Sequence, residues 1–299
     1  MRHGVSVALV AAVLLVSGCS DDEPVARPLA EPTPSVAPTY DASIEPAAAV
    51  LALVPEDART LTVTDFGQVR KELGVDSLTG ASAPGEVAAF WHRAEAERPL
   101  LTTGMLRPSD QRLLREYGFT ELDVVWEAHF FDAQGQEAGW VLRLSDGVDM
   151  ARVRAGAQDP ATPISGGEVN AGDHLVSSGT AADPDHSWAA DAATWDLVGL
   201  QANATYVSRD CVPADGADVD ELTAYSVQFE GSLVTARLGA DRQDLFARMR
   251  LGEEDAAFDA AFDGGAADPL TGRIGYVMTD PAAAARLALE GALPFAACP

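Results

Sequence analysis

A strand–strand–helix pattern written twice constrains this chain more than any other feature. In the first copy, DVVWEAHFF (123–131) and GWVLRLS (139–145) alternate apolar and polar residues and lead into ARVRAG (151–156). In the second, TAYSVQFEG (223–231) and SLVTARLG (232–239) lead into ARMRLG (247–252). Period-two alternation marks half-buried strands. Aspartates stand where each helix should open, Asp146 or Asp149 in one copy and Asp241 or Asp244 in the other. A carboxylate there takes up the free N–H groups of the first turn. DHLVSSG (173–179) and RIGYVMTD (273–280) then add a short strand about twenty residues beyond each helix.

The run RTLTVTDFGQVRKELG (59–74) reads as a strand passing into a helix, with Asp65 as N-cap. AAAARLALEGAL, entered through Asp280-Pro281, reads as a helix with proline near its first turn. NATYVSRD (203–210) adds a further strand. The first half therefore runs β-α, β-β-α, β, an order that suits a ferredoxin-like, split βαβ layer. Half-buried strands belong in antiparallel sheets covered on one face. The expected class is α+β: two tandem ferredoxin-like repeats, 48–198 and 199–299, with antiparallel sheets covered by helices on one face. Whether the halves share one sheet stays open. Chance similarity in an Ala- and Arg-rich chain is the competing account of the repeat.

The N-terminus is of another kind. Arg2 and His3 form a basic start, Val5–Val16 is apolar apart from Ser6, and Ser17, Gly18 and Cys19 close the run. That is the layout of a signal peptide over 1–18, and the run is shorter than the roughly 20 residues needed to cross a bilayer. Val16-Ser17-Gly18-Cys19 resembles the lipobox of bacterial lipoproteins. The resemblance implies that the Cys19 thiol takes a diacylglyceryl group with palmitate-type chains. It also implies cleavage just before Cys19 and a body held on the outer face of the cell membrane. The alternative is an ordinary secretory signal with an incidental cysteine. Residues 19–47 would be the lipidated cysteine and a tether. Six prolines (24, 28, 32, 34, 38 and 46) are spaced among acidic and small residues there. Such a segment cannot build a core and stays extended, reaching at most roughly 85 Å at about 3.1 Å per residue.

Charge narrows the partners. The chain has 20 basic and 46 acidic residues, and removal of Arg2 leaves 19 against 46, a net charge of −27. Nucleic-acid binding runs on Lys and Arg neutralising phosphates, so no nucleic-acid partner is expected. The expected membrane contact is the N-terminal lipid anchor, because the acidic body is repelled by an anionic surface. If Cys19 is acylated, Cys211 and Cys298 remain as an even pair in an oxidising space, where a disulfide is the rule. A bridge closing about 88 residues would stabilise the fold by about 4.6 kcal/mol in the chain-entropy treatment. Two free structural thiols are the rival reading.

Catalytic signatures are sparse. No nucleophile elbow, Walker loop, zinc-protease or dinucleotide pattern occurs, and no metal or cofactor is expected. Glu127 and His129 project from one strand to the same face, and Arg143 sits on the next strand. A Glu127-His129-Arg143 group on an open sheet face would bind an anion or act as an acid–base pair; a solvated polar face is the competing reading. Arg237, opposite Gln228, takes the corresponding place in the second copy. DPDHSWAADAATWD (183–196) and GEEDAAFDAAFDGG (252–265) gather carboxylates that read as solvated acidic surface, the latter as an amphipathic helix through Phe258 and Phe262. The Trp91-His92 segment reads as a helix with a packed stripe. The expected role is a membrane-anchored extracytoplasmic lipoprotein, a non-enzymatic module binding an envelope protein or small ligand. An envelope hydrolase with a dispersed site and a small-molecule or metal-capturing lipoprotein are the alternatives.

Overall fold

The computed structural model describes residues 37–199, 201–214 and 218–299. Cys19 and most of the proline-rich segment lie outside the described residues. The first half contains α1 (Pro46–Val50), β1 (Thr60–Asp65), α2 (Phe66–Glu72), α3 (Pro84–Glu97), α4 (Asp110–Tyr117), β2 (Val124–Phe131) and β3 (Glu137–Leu144). It continues with α5 (Met150–Ala157), β4 (Glu168–Asn170), β5 (Leu175–Ser178) and α6 (Ala192–Trp195). The second half contains β6 (Ala204–Ser208), β7 (Val212–Pro213), β8 (Tyr225–Glu230), β9 (Leu233–Arg237), α7 (Leu245–Glu254) and α8 (Ala256–Ala261). β10 (Phe262–Asp268), β11 (Arg273–Met278), α9 (Pro281–Leu289) and β12 (Ala297–Cys298) complete it.

The fold is α+β. Ten strands form one antiparallel sheet in the order β10-β11-β9-β8-β6-β1-β2-β3-β5-β4. β1 and β6 pair at its centre, Thr62 against Tyr206. Each half then runs outward in the same sense. β1 pairs directly with β2, so no strand is inserted between them and the order within a half is not the split βαβ expected from the element order.

Aspartates open the helices as their positions predict. Asp65 accepts from Gln68 N at 2.8 Å, Asp149 from Ala151 N at 2.9 Å and Asp280 from Ala283 N at 3.0 Å. Asp244 precedes α7 but spends its carboxylate on Arg242 and Arg248 instead. The segment 252–265 departs from a single helix: α8 ends at Ala261, and Phe262 starts β10, placing Asp263 in an edge strand.

Both faces of the first half are covered, not one. Trp140, Leu142 and Val176 pack with α2–α5 side chains such as Phe66, Trp91 and Val153. On the opposite face Leu61, Val63, Trp126, Ala128 and Phe130 pack under Ala47–Val54, Trp188 and Val198. Tyr40, placed by sequence in the tether, packs against this second core, and Glu45 caps α1. In the second half the helix-side core joins Tyr225, Val227 and Phe229 to α7–α9. Cross-strand pairing puts both helix-side cores on the same face of the sheet, because directly opposed residues share a face. Between them runs a polar seam of Thr62, Thr64, Glu127 and His129.

Cys211 and Cys298 form a disulfide with Cα atoms 5.7 Å apart, beside the two-stranded parallel pairing of β7 with β12. Among the described residues no helix is long and apolar enough to cross a membrane.

Candidate functional site

Register decides which of the predicted residues meet. Glu127 lies opposite Thr64 and Leu142, and His129 opposite Thr62 and Trp140, so all six share the helix side of the sheet. Arg143 lies opposite Trp126 and therefore on the other face. There it bonds to Asp146 Oδ1 at 2.6 Å and interacts with Tyr40. Burial pushes the Tyr40 phenol up to about 12, against the pull of the Arg143 charge. Glu127 and His129 thus come together, and Arg143 does not join them. Likewise Arg237 pairs in register with Ser226, not Gln228, and donates to the carbonyls of Asp196 and Val198, both at 3.0 Å.

The sheet face at Glu127 is closed, not open. The segment 99–106 lies over the seam: Leu101 N donates to Thr64 Oγ1 at 3.2 Å, Thr102 Oγ1 to Glu127 Oε1 at 2.5 Å and Met105 N to Glu127 Oε2 at 3.0 Å. His129 Nε2 donates to Glu127 Oε1 at 2.6 Å, and its Nδ1 meets Glu137. Burial works to lower the pKa of His129, but the hydrogen bonds to the two carboxylates prevail and raise it to about 9. The imidazolium is therefore the form held at neutral pH.

A second carboxyl that the sequence reading missed completes the cluster. Glu121, in the short turn 121–123, is fully buried, as is Glu127. Its Oε2 accepts from Leu106 N at 2.7 Å, and its backbone N donates to Asp110 Oδ1 at 2.7 Å. Burial, then the negative charge of Glu127, hold the Glu121 carboxyl well above the usual range. Two carboxyl groups in contact inside the protein cannot both ionise at low cost, so burial and Glu127 both favour the neutral form of Glu121. Gly104 closes over the pair with φ 93°, and a Cβ there would come within 2.7 Å of the Glu121 side chain. The local sequence FTELDVV carries no periodic signal that would mark Glu121 as buried. This network is sealed and its members bind one another, so its chemistry is to pin the loop.

Beside it lies an open groove of about 920 Å³ between α3 and the segment 107–115. Its walls include Trp91, Arg107, Asp110, Arg112, Leu114 and Arg115. The predicted helix stripe is in place, with Phe90, Trp91 and Ala94 buried and His92 exposed. The Arg107 guanidinium stacks over the Trp91 ring at 4.5 Å and pairs with Glu95. Asp110 links the groove wall to the buried network through Glu121. Elsewhere, Asp183 caps a short turn and meets His186 Nδ1 at 2.9 Å, while Asp191 bonds Thr194 and Arg209. Among the described residues no group of three or more metal-ligating side chains converges. Comparison of the chain with protein-family models, curated proteins and solved structures returns no match, so the site is read from its own geometry.

Proposed function

We propose that the chain is an extracytoplasmic lipoprotein whose body is a non-enzymatic binding module. Cys19 carries the lipid anchor on the outer face of the bacterial membrane, and the proline-rich segment up to about residue 36 spaces the body from it. The Cys211–Cys298 disulfide supports export, since such bonds persist in oxidising compartments. The observation that carries the binding role is the α3–α4 groove of about 920 Å³, in which apolar and cationic side chains meet. A hydrolase centred on Glu127, His129 and Arg143 finds no support in the placement of those residues. Glu127 is buried, and Arg143 lies on the far face.

Two experiments test this reading. Cys19→Ala protein is expected in the soluble fraction after cell breakage; retention with membranes overturns the anchor. A fragment screen read on backbone amide shifts of the full chain should give hits clustered on α3 and 107–115; hits confined to other surfaces overturn the binding face.

We also propose that β1–β5 and β6–β11 are copies of one duplicated unit. Their outward orders, β1-β2-β3-β5-β4 and β6-β8-β9-β11-β10, correspond strand for strand. Gly156 and Gly252, the last residues of the two similar helix words, sit in the interior at matching places. An alignment of homologues in which the two words drift with no shared residue class at buried positions would count against duplication.

A further inference from the structure

We propose that the α3–α4 groove takes a free amphipathic anion, an organic acid with one carboxylate head and an extended apolar body, with its head at Arg107 and Trp91. The proposal rests on the groove being the binding face and adds the chemical class of the ligand.

The protein as a whole repels anions, with a formal charge of −26. At the groove Arg107, Arg112 and Arg115 gather beside Glu95 and Asp110, and because Arg112 and Arg115 are already paired with Glu116 and Asp159, the anion-binding group is the Arg107 guanidinium. Arg107 sits with its guanidinium carbon 4.5 Å from the Trp91 ring centroid, a cation–π contact, and its planar fork is of the kind that takes a carboxylate by two hydrogen bonds. Its present partner, Glu95, is 45% exposed. Pairs of that kind contribute about 0–1 kcal/mol, so a ligand carboxylate displaces Glu95 at small cost. Arg112 and Arg115 share Glu116, and Arg112 also reaches Asp159. Arg115 remains 70% exposed at the rim.

A second, independent observation points to an acceptor. The Trp91 indole N–H is buried with no hydrogen-bond partner among the described residues, although Trp91 is only 3% exposed. A buried donor left unmet costs about 1–3 kcal/mol, so an oxygen acceptor brought to the edge of the Trp91 indole would be favoured. The apolar requirement comes from the rest of the lining. Val87 and Leu122 supply wall, and Leu114 stands 39% exposed on the lining. A small polar anion leaves this surface wet, and a cationic amphiphile meets the like charge of Arg107.

The test uses the full chain labelled with nitrogen-15 and reads the Trp91 indole resonance, assigned with Trp91→Phe. Dodecanoate below its micellar concentration is expected to shift it saturably. Acetate and dodecyltrimethylammonium are expected to bind at least tenfold more weakly. Arg107→Gln should lower the dodecanoate affinity about tenfold while the circular-dichroism unfolding curve stays near wild type. Equal binding of the cationic amphiphile, or an unchanged affinity in Arg107→Gln, overturns the anion assignment and leaves the groove as a binding face. Absence of any shift with all three probes overturns both. Binding to phosphatidylglycerol vesicles without binding to monomeric dodecanoate also overturns the proposal, since it would make the ligand a bilayer surface.

Discussion

β2 and β8 occupy matching places, each beside the central pair of strands, yet their polarity is reversed. β2 sends Trp126, Ala128 and Phe130 away from α2–α5 and Glu127 and His129 toward them. β8 sends Tyr225, Val227 and Phe229 toward the helices and Ser226 and Gln228 away. The difference follows what covers each strand. Irregular backbone brings polar groups that a sheet must satisfy. Over β2 the loop 99–106 presents N–H groups, and carboxylates accept from Met105 and Leu106. Under β8 and β9 the stretch 196–198 presents carbonyls, and Arg237 and Ser226 donate to them. One topology thus carries opposite chemistry because the covering loops present opposite ends of the peptide group.

The two similar helix words give the largest expected contrast. Arg248 in α7 is fully buried and bonds Asp244 at 2.7 Å and the carbonyls of Phe295 and Ala297, both at 2.8 Å. Its counterpart Arg152 in α5 is 63% exposed. Arg248→Ala should lose about 3–5 kcal/mol in urea unfolding, because it removes one of the two arginines on the buried Asp244 carboxylate and strips the carbonyls of Phe295, Ala297 and Asp220 of their donor. Arg152→Ala should stay within about 0.5 kcal/mol. Equal effects would break the comparison.

The disulfide comes next. Replacing both Cys211 and Cys298 by serine should cost about 2–4 kcal/mol. The loss should be concentrated in hydrogen exchange of α7 and the C-terminal strand β12, which the bridge and Arg248 hold together. Glu127→Val, which gives β2 the character of β8, should cost about 1–3 kcal/mol by leaving Thr102, Met105 and His129 without their acceptor. A neutral result would mean that the loop is held by packing alone.

The smallest but most diagnostic contrast is in pH. In the first half, Glu121, Glu45 and His129 all have raised values, Glu45 to about 7 by burial and His129 to about 9. A raised folded value gives stability that is fully present below the unfolded value and lost as pH rises through the folded one. In the second half, burial opposes ionisation of Asp244, but hydrogen bonds from Arg242 and Arg248 hold its pKa far below the usual carboxylate range. That contribution is present above the unfolded value near 3.8 and lost as pH falls. Exchange of the Met105 and Leu106 amides, corrected for intrinsic rate, should therefore rise on going from pH 6 to pH 9. Amides of α7 should loosen on going from pH 5 toward pH 3. Loosening of both halves at the same end of the scale would show that global charge governs, not these local groups.

Much of the local structure was legible. Alternation in 123–131 and 139–145 located β2 and β3 and assigned Trp126 and Glu127 to opposite faces. Asp65 and Asp280 marked helix starts because a short carboxylate has one strong local use there, and of Asp146 and Asp149 the structure selects Asp149. The cysteine count, with Cys19 set aside, paired Cys211 with Cys298. The site was half legible: Glu127 and His129 were found as strand neighbours, whereas Glu121, Thr102, Glu137 and the groove were not.

What the sequence by itself determined was therefore mostly local: the alternation of strand faces, the caps at Asp65 and Asp280, and the charge balance. Tertiary structure alone decided the strand order and that loop 99–106 closes over Glu127. It also brought Glu121 against that carboxylate and put Arg143 on the far face. Those outcomes depend on cross-strand register and on contacts between distant segments. A slip of one residue turns a whole strand over, so no local pattern could carry that information.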